Sequence, residues 1–331
     1  MAVRNETRVT QFILLGLSSN PDLQIAFFVL FLVMYLLTIA GNLLIMITIY
    51  ADSQLHTPMY FLLINLSFID LCFSTVTVPR ALDLFLSPSK TISFTDCMTQ
   101  LFFIHFIGGA ECFHLILMAF DRYVAICNPL RYTTIMTRRV CLLMVISTWI
   151  GGFIHAFSQS LPIIQLPFCG PNEIDHFFCD GPTLSVLACS NTFISERADM
   201  INSGSLTVGG LLLVLISYAY ILSTVLKIRS DEGRRKAFST CASHLLVVIL
   251  FYGPIVFSYM RPSVIFAADK PLSVFYTTVT PFLNPCIYTL RNEKVRSAMK
   301  KLRGRKDKKT QAEKICEIMK RSIIVVIQVI E

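Results

Sequence analysis

Two acidic side chains interrupt otherwise apolar runs: Asp70 in "INLSFIDLCFS" and Glu111 in "FIGGAECFHL". An ionisable group in such a run is costly and usually functional. Two carboxyls with nearby amide oxygens can hold a small hard cation such as Na⁺, or form a network in which one carboxyl keeps its proton. Asn42 and Asn284, in runs of their own, are the candidate amide partners. A second chemistry is carried by "MAFDRYVAIC" at 118–127, where Asp121 and Arg122 stand side by side at the end of an apolar run. Adjacent positions on a helix do not face one another, so an ion pair between them is breakable. A third is carried by His105 and Cys112, two helical turns apart, which could ligate a soft metal. A lone buried imidazole is more often simply hydrogen-bonded.

These residues need elements to position them, and composition says which. Of 331 residues 54% are hydrophobic and only 15% charged, with a mean hydropathy of +0.63. Seven runs are long enough to cross a bilayer, which takes roughly 20 apolar residues: 25–50, 58–79, 97–122, 140–161, 200–226, 237–260 and 271–290. They are continuous rather than alternating, so they predict helices and not barrel strands. Five have no Asp, Glu, Lys or Arg; the second carries Asp70, and the third Glu111 before its terminal Asp121-Arg122. The expected fold is an all-α membrane bundle of seven helices, with residues 1–24 before it and 291–331 after it. At ~1.5 Å per residue, Asp70 lies roughly 18 Å from the Pro58 end, Glu111 roughly 16 Å from Arg122, and Asn42 and Asn284 roughly 10–12 Å from the same face. Four helices thus bring four polar groups to one half of the bundle. Pro254, Pro281 and Pro285 supply places for the sixth and seventh helices to bend.

Charge decides orientation. One set of faces holds Arg4, Arg8, Arg80, Lys90, Arg197, Arg261 and Lys270, and the other holds the remaining 22 of 29 basic residues. The positive-inside rule then puts the N-terminus outside and the tail in the cytosol. Most of the net charge of +8 meets anionic lipid or a cytosolic partner, and no nucleic acid is needed to explain it. The sequon Asn5-Glu6-Thr7 falls outside, where it can be glycosylated. Cys97, Cys169, Cys179 and Cys189 also fall outside, an even number in an oxidising compartment, which predicts two disulfides in any of three pairings. Three of them lie in the long outer segment 162–199, expected to form a stapled lid. Beyond Leu290, "RNEKVRSAMKKLRGRK" has the stripe Val295, Met299 and Leu302 of a short amphipathic helix on the inner leaflet. The apolar "SIIVVIQVIE" at the end has no assigned role.

The motifs together resemble a known family. Gly41-Asn42, "LHTPMYFLLINLSFID" at 55–70, "MAFDRYVAIC", "SY" at 217–218, "KAFSTCASHL" at 236–245 and "PFLNPCIYTLRN" at 281–292 occur in the order found in olfactory receptors of the tetrapod-type class. These belong to the rhodopsin-like G-protein-coupled receptors, and the likeness runs from about residue 5 to 303. Tyr252, where most other rhodopsin-like receptors place Trp, and a fifth span without Pro are usual for the olfactory group. The tail is longer and more apolar than the family norm.

The resemblance implies Cys97–Cys179 and Cys169–Cys189 bonds. It implies that Asp121 holds Arg122 at rest and that activation releases Arg122 toward Tyr218 and Tyr288, admitting the C-terminal helix of a G-protein α subunit. Leu130, Tyr132 and the basic 227–236 segment would complete the docking surface. The ligand wall would comprise Ile104, His105, Gly108, Gly109 and Cys112, with Asn202, Leu206, Ile255, Tyr259 and Thr277. Ile104 stands where amine receptors carry an Asp, which favours a small, neutral, largely apolar volatile. The implied readout is cAMP through a stimulatory or olfactory-type G protein, at the plasma membrane of olfactory cilia. Alternatives are a receptor for a small lipid or metabolite and, in another class, a transporter or channel. No inverted repeat or ring of charge supports the latter. No nucleophile–base set or HExxH pair supports an enzyme, and no cofactor beyond the possible Na⁺ is expected.

Overall fold

The computed structural model describes residues 9–87, 89–169, 172–190, 192–259 and 269–302. Asn5 and the apolar terminal stretch lie outside the described residues. The bundle consists of α1 Pro21–Ala51, α2 Pro58–Leu86, α3 Phe94–Cys127, α4 Arg138–Ile164, α5 Phe193–Val225 and α6 Asp231–Tyr259. The seventh crossing, α7, is continuous but irregular: Asp269–Val274, a π-helical turn Phe275–Val279, then Thr280–Arg291. A short helix α8, Glu293–Leu302, follows it. The end near the N-terminus is called outer below, and the α8 end inner.

Local chemistry sets the helix starts. Asn20 accepts from the Asp22 amide at 2.9 Å ahead of Pro21, and Ser93 accepts from the Asp96 amide at 3.0 Å. Thr137 caps α4 through the Val140 amide at 3.3 Å. Such caps satisfy amides that have no partner within the helix. Asn292 caps α8, accepting from the amides of Lys294 and Val295. Val295, Ala298 and Met299 form its buried face, and Leu302 is 49% exposed.

The helices run further than the apolar spans, since a helix continues beyond the lipid once it is capped. Pro79 does not end α2, which goes on to Leu86 with Arg80 paired to Asp83 on its outer turn. Six helices among the described residues are long and apolar enough to cross a membrane, and the interrupted α7 makes the seventh crossing. Apolar side chains such as Val29, Ile47, Ile154 and Ile249 face outward, as lipid contact requires. The central helix is α3, and it touches α4 most closely. A Cβ on Gly152 would sit 2.6 Å from the Phe106 carbonyl oxygen and 2.7 Å from the Ala110 nitrogen. Only glycine admits that crossing. Gly41 plays the same part on α1, where a Cβ would lie 2.9 Å from the Pro285 side chain.

The outer end carries a small sheet that the helical reading did not anticipate. Strand β1, Gln11–Leu14, lies between β2, Thr91–Ser93, and β3, Glu173–Ile174. It pairs antiparallel with β2, Phe12 opposite Ile92, and parallel with β3, Ile13 opposite Glu173. Phe12 and Leu14 are fully buried, and Phe12 packs against Phe94 and Phe168 with ring centroids 6.1 and 5.4 Å away. The outer loop is stapled by Cys97–Cys179 and Cys169–Cys189. Gln100 on α3 holds it as well, accepting from the Cys179 amide at 3.0 Å and donating to the Val76 carbonyl at 3.1 Å.

Candidate functional site

Three layers lie one beneath another along α3. The outermost is a cavity of about 50 Å³ lined by residues of α2 through α7. Ile104, His105, Gly108, Gly109, Cys112, Leu206 and Ile255 line it, and so do Phe73, His155, Ser203, Thr207 and Tyr276. Ser203 and Thr207 are one turn apart on α5, as the Thr207 hydroxyl bond to the Ser203 carbonyl shows. His105 and His155 face each other across the α3–α4 contact, with ring centroids 5.9 Å apart. Among the described residues no three His, Cys, Asp or Glu side chains gather as metal ligands.

Two expected wall residues stand behind the lining side chains, Asn202 against His155. The Asn202 amide donates to the Ser158 hydroxyl and so ties α5 to α4. Thr277 turns its hydroxyl to the Ser273 carbonyl at 2.7 Å, while Tyr276 meets the cavity. The π turn explains the exchange: counted outward from Asn284-Pro285, one added residue shifts which side chain faces inward. The side chain of Tyr259 lies outside the described ones.

The middle layer holds the four polar residues found from sequence. Asn284 donates to both Asp70 carboxylate oxygens, at 2.9 and 3.1 Å. Asn42 donates to the carbonyls of Thr38 and Pro281 at 3.0 and 3.3 Å. Their amide oxygens and both Glu111 oxygens are buried without a hydrogen-bonding protein group. Four orphaned oxygens beside a second carboxylate make a donor set of hard oxygens only, which fits Na⁺ or a shared proton.

At the inner end, the expected Asp121–Arg122 contact is replaced by two others. The Tyr132 hydroxyl donates to Asp121 at 2.8 Å, and Arg122 Nη1 donates to the thioether of Met59 at 2.7 Å. Successive side chains on a helix diverge by roughly 100°, so one points to the loop turn Tyr132–Ile135 and the other into the bundle. Burial, then the Asp121 carboxylate, raises the Tyr132 phenol above its ordinary pKa, so it stays a donor. Tyr218 bonds His244 Nδ1 at 2.9 Å and stacks on its ring, joining α5 to α6. Tyr288 is buried, its hydroxyl without a partner, and Tyr60 bonds Asn292 at 3.1 Å. Leu130 stands 96% exposed on the inner face.

A family profile described as olfactory receptor matches residues 31–306. The chain belongs to the olfactory receptor family. It is 52% identical over 301 residues to human olfactory receptor 4E2, covering 91% of this chain and 96% of that one. It is 51% identical to human olfactory receptor 4S2, with 90% and 95% covered. The crystal structure of squid rhodopsin superposes with a TM-score of 0.69 at 17% identity, covering 86% of this chain and 81% of that one. That likeness establishes the seven-helix fold. The receptor is an odorant-sensing, multi-pass membrane protein of the G-protein-coupled class.

Proposed function

We propose that the receptor takes up a small, neutral, mainly apolar volatile in the outer cavity and converts its binding into G-protein activation at the inner face, raising cAMP. The observation that carries this reading is the stacking of a mostly apolar cavity, a buried polar layer and a buried arginine along one helix. The wall offers shape from Phe73, Ile104, Leu206 and Ile255, and hydrogen bonds from His105, His155, Ser203 and Thr207. The groups that take part inside are Asp121, Arg122, Leu130, Tyr132, Tyr218 and Tyr288.

A cavity of about 50 Å³ is far below the ~300 Å³ or more of ordinary ligand sites. Binding therefore has to part the walls, and the softest are α6, where Pro254 removes a helical hydrogen bond, and α7 with its π turn. Moving α6 strains the Tyr218–His244 bond and frees Tyr218 for Arg122. The space vacated at the inner face is where the C-terminal helix of a stimulatory or olfactory-type α subunit would enter. Asp70 and Glu111, with the amide oxygens of Asn42 and Asn284, would hold Na⁺ or share a proton, neutralising a buried pair whose bare charges would be costly. The basic inner faces support an outside N-terminus, glycosylated at Asn5, and a place in the plasma membrane of olfactory cilia.

A cAMP-reporter screen of surface-expressed receptor against a diverse volatile panel tests the proposal. A response abolished by Arg122→Ala, with surface expression intact, is the expected result. Silence across the panel despite proven expression, or a response that survives Arg122→Ala, counts against it.

A further inference from the structure

Arg122 carries the charge on which the switch turns, and the structure gives it a methionine. Its Nη1 reaches Met59 Sδ, its Nε has no partner, and the neighbouring carboxylate belongs to Tyr132. Arg122 is only 6% exposed, so it has little recourse to water. Met59 is the second residue of α2 and half-buried, standing between Arg122 and the inner face. Met118 and Met136, nearby in the same half of the bundle, are each 98% buried, being 2% exposed. A thioether is a weak acceptor, so Arg122 is held at rest by a contact easily given up and easily strengthened.

We propose that Met59 is the resting partner of Arg122 and a reversible oxidation site that tightens this hold. The proposal rests on the reading of Arg122 as the switch and of the inner face as cytosolic. A peroxide delivers one oxygen to Sδ: an S–O bond forms, the O–O bond breaks, and the peroxide leaves as water or an alcohol. The sulfur loses two electrons and the peroxide gains them. The sulfoxide oxygen is a polar acceptor aimed from the atom that Arg122 already touches, and a charge-assisted bond to it is about twice as strong as a neutral one. Methionine sulfoxide reductases reverse the change. Oxidation therefore acts as a brake on coupling.

The test uses the full-length receptor in membranes with a stimulatory-type G protein, reading ligand-independent nucleotide exchange at matched surface expression. Met59→Leu keeps the volume and removes the acceptor, and should raise exchange about threefold, the scale of one weak hydrogen bond. Brief hydrogen peroxide should lower wild-type exchange several-fold, with a one-oxygen mass gain on the Met59 peptide. Methionine sulfoxide reductase should restore it, and Met59→Leu should not respond to peroxide. Exchange in Met59→Leu equal to wild type, an equal peroxide effect in both, or an unoxidised Met59 would overturn the assignment. Arg122→Ala separates the two possible failures. If it leaves exchange unchanged, the switch reading falls and this one with it; if it abolishes exchange while Met59→Leu matches wild type, only the Met59 assignment falls.

Discussion

His176 sits under the sheet, 1% exposed, stacked on Phe177 with centroids 4.9 Å apart and edge-on to Phe178 at 4.3 Å. Neither ring nitrogen has a hydrogen-bond partner, while its backbone carbonyl accepts from the Gly16 amide at 3.1 Å. Burial, reinforced by the Lys270 ammonium, pulls its pKa down to about 3 from the ordinary 6.5, against a small opposing pull from Asp175. The folded value lies below the unfolded one, so the stabilisation is complete above about pH 6.5 and is lost progressively as pH falls toward 3. At pH 5 the deficit is about 1.5 pH units, or about 2 kcal/mol, equivalent to about 30-fold in an opening equilibrium. Hydrogen-exchange protection of the Leu15 and Gly16 amides, which bond Ile174 and His176, reads that equilibrium once intrinsic rates are divided out. Protection should fall about 30-fold between pH 7 and 5 in the wild type and stay nearly flat in His176→Phe. Equal behaviour of the two proteins would refute the argument that this imidazole sets the acid response of the lid.

Gly152→Ala should cost on the order of 1–3 kcal/mol, because its methyl meets backbone atoms of α3; thermal melting and surface expression check it. His155→Leu should weaken the response to an active volatile by on the order of tenfold with basal activity unchanged, and an unmoved dose–response curve would remove His155 from recognition. Replacing Na⁺ by choline should lower the melting temperature of the wild type and leave Glu111→Gln insensitive. Equal sensitivity in both would leave the shared proton as the account of the middle layer.

The seven crossings and the polar layer were legible because both rest on composition and rise per residue. Depth arithmetic placed Asp70, Glu111, Asn42 and Asn284 in the same half of the bundle without pairing them, and the structure joins Asp70 to Asn284 by two hydrogen bonds. The sheet was hidden because its strands are two to four residues long and pair across great distances in sequence. His155 was passed over for a different reason. A census of Asp, Glu, Lys and Arg finds nothing in span 140–161, yet His155 is the one imidazole in it. Met59 left no polar signal at all, since a thioether reads as apolar until a guanidinium is seen against it. Thr277 and Tyr276 exchanged places because a π turn is invisible to 3.6-residue counting.

The parallel pairing of Ile13 with Glu173 has a consequence in time. The two residues are about 160 positions apart, so at ~5–20 residues per second the ribosome needs roughly 10–30 s to supply β3 after β1. Through that interval β1 can pair only with β2, and Phe12 can pack on Phe94 but not yet on Phe168. The sheet is completed only after the whole of α4, which lies between β2 and β3 in the chain, has been made. The strand made first thus has both of its edges paired only once β3 has been made.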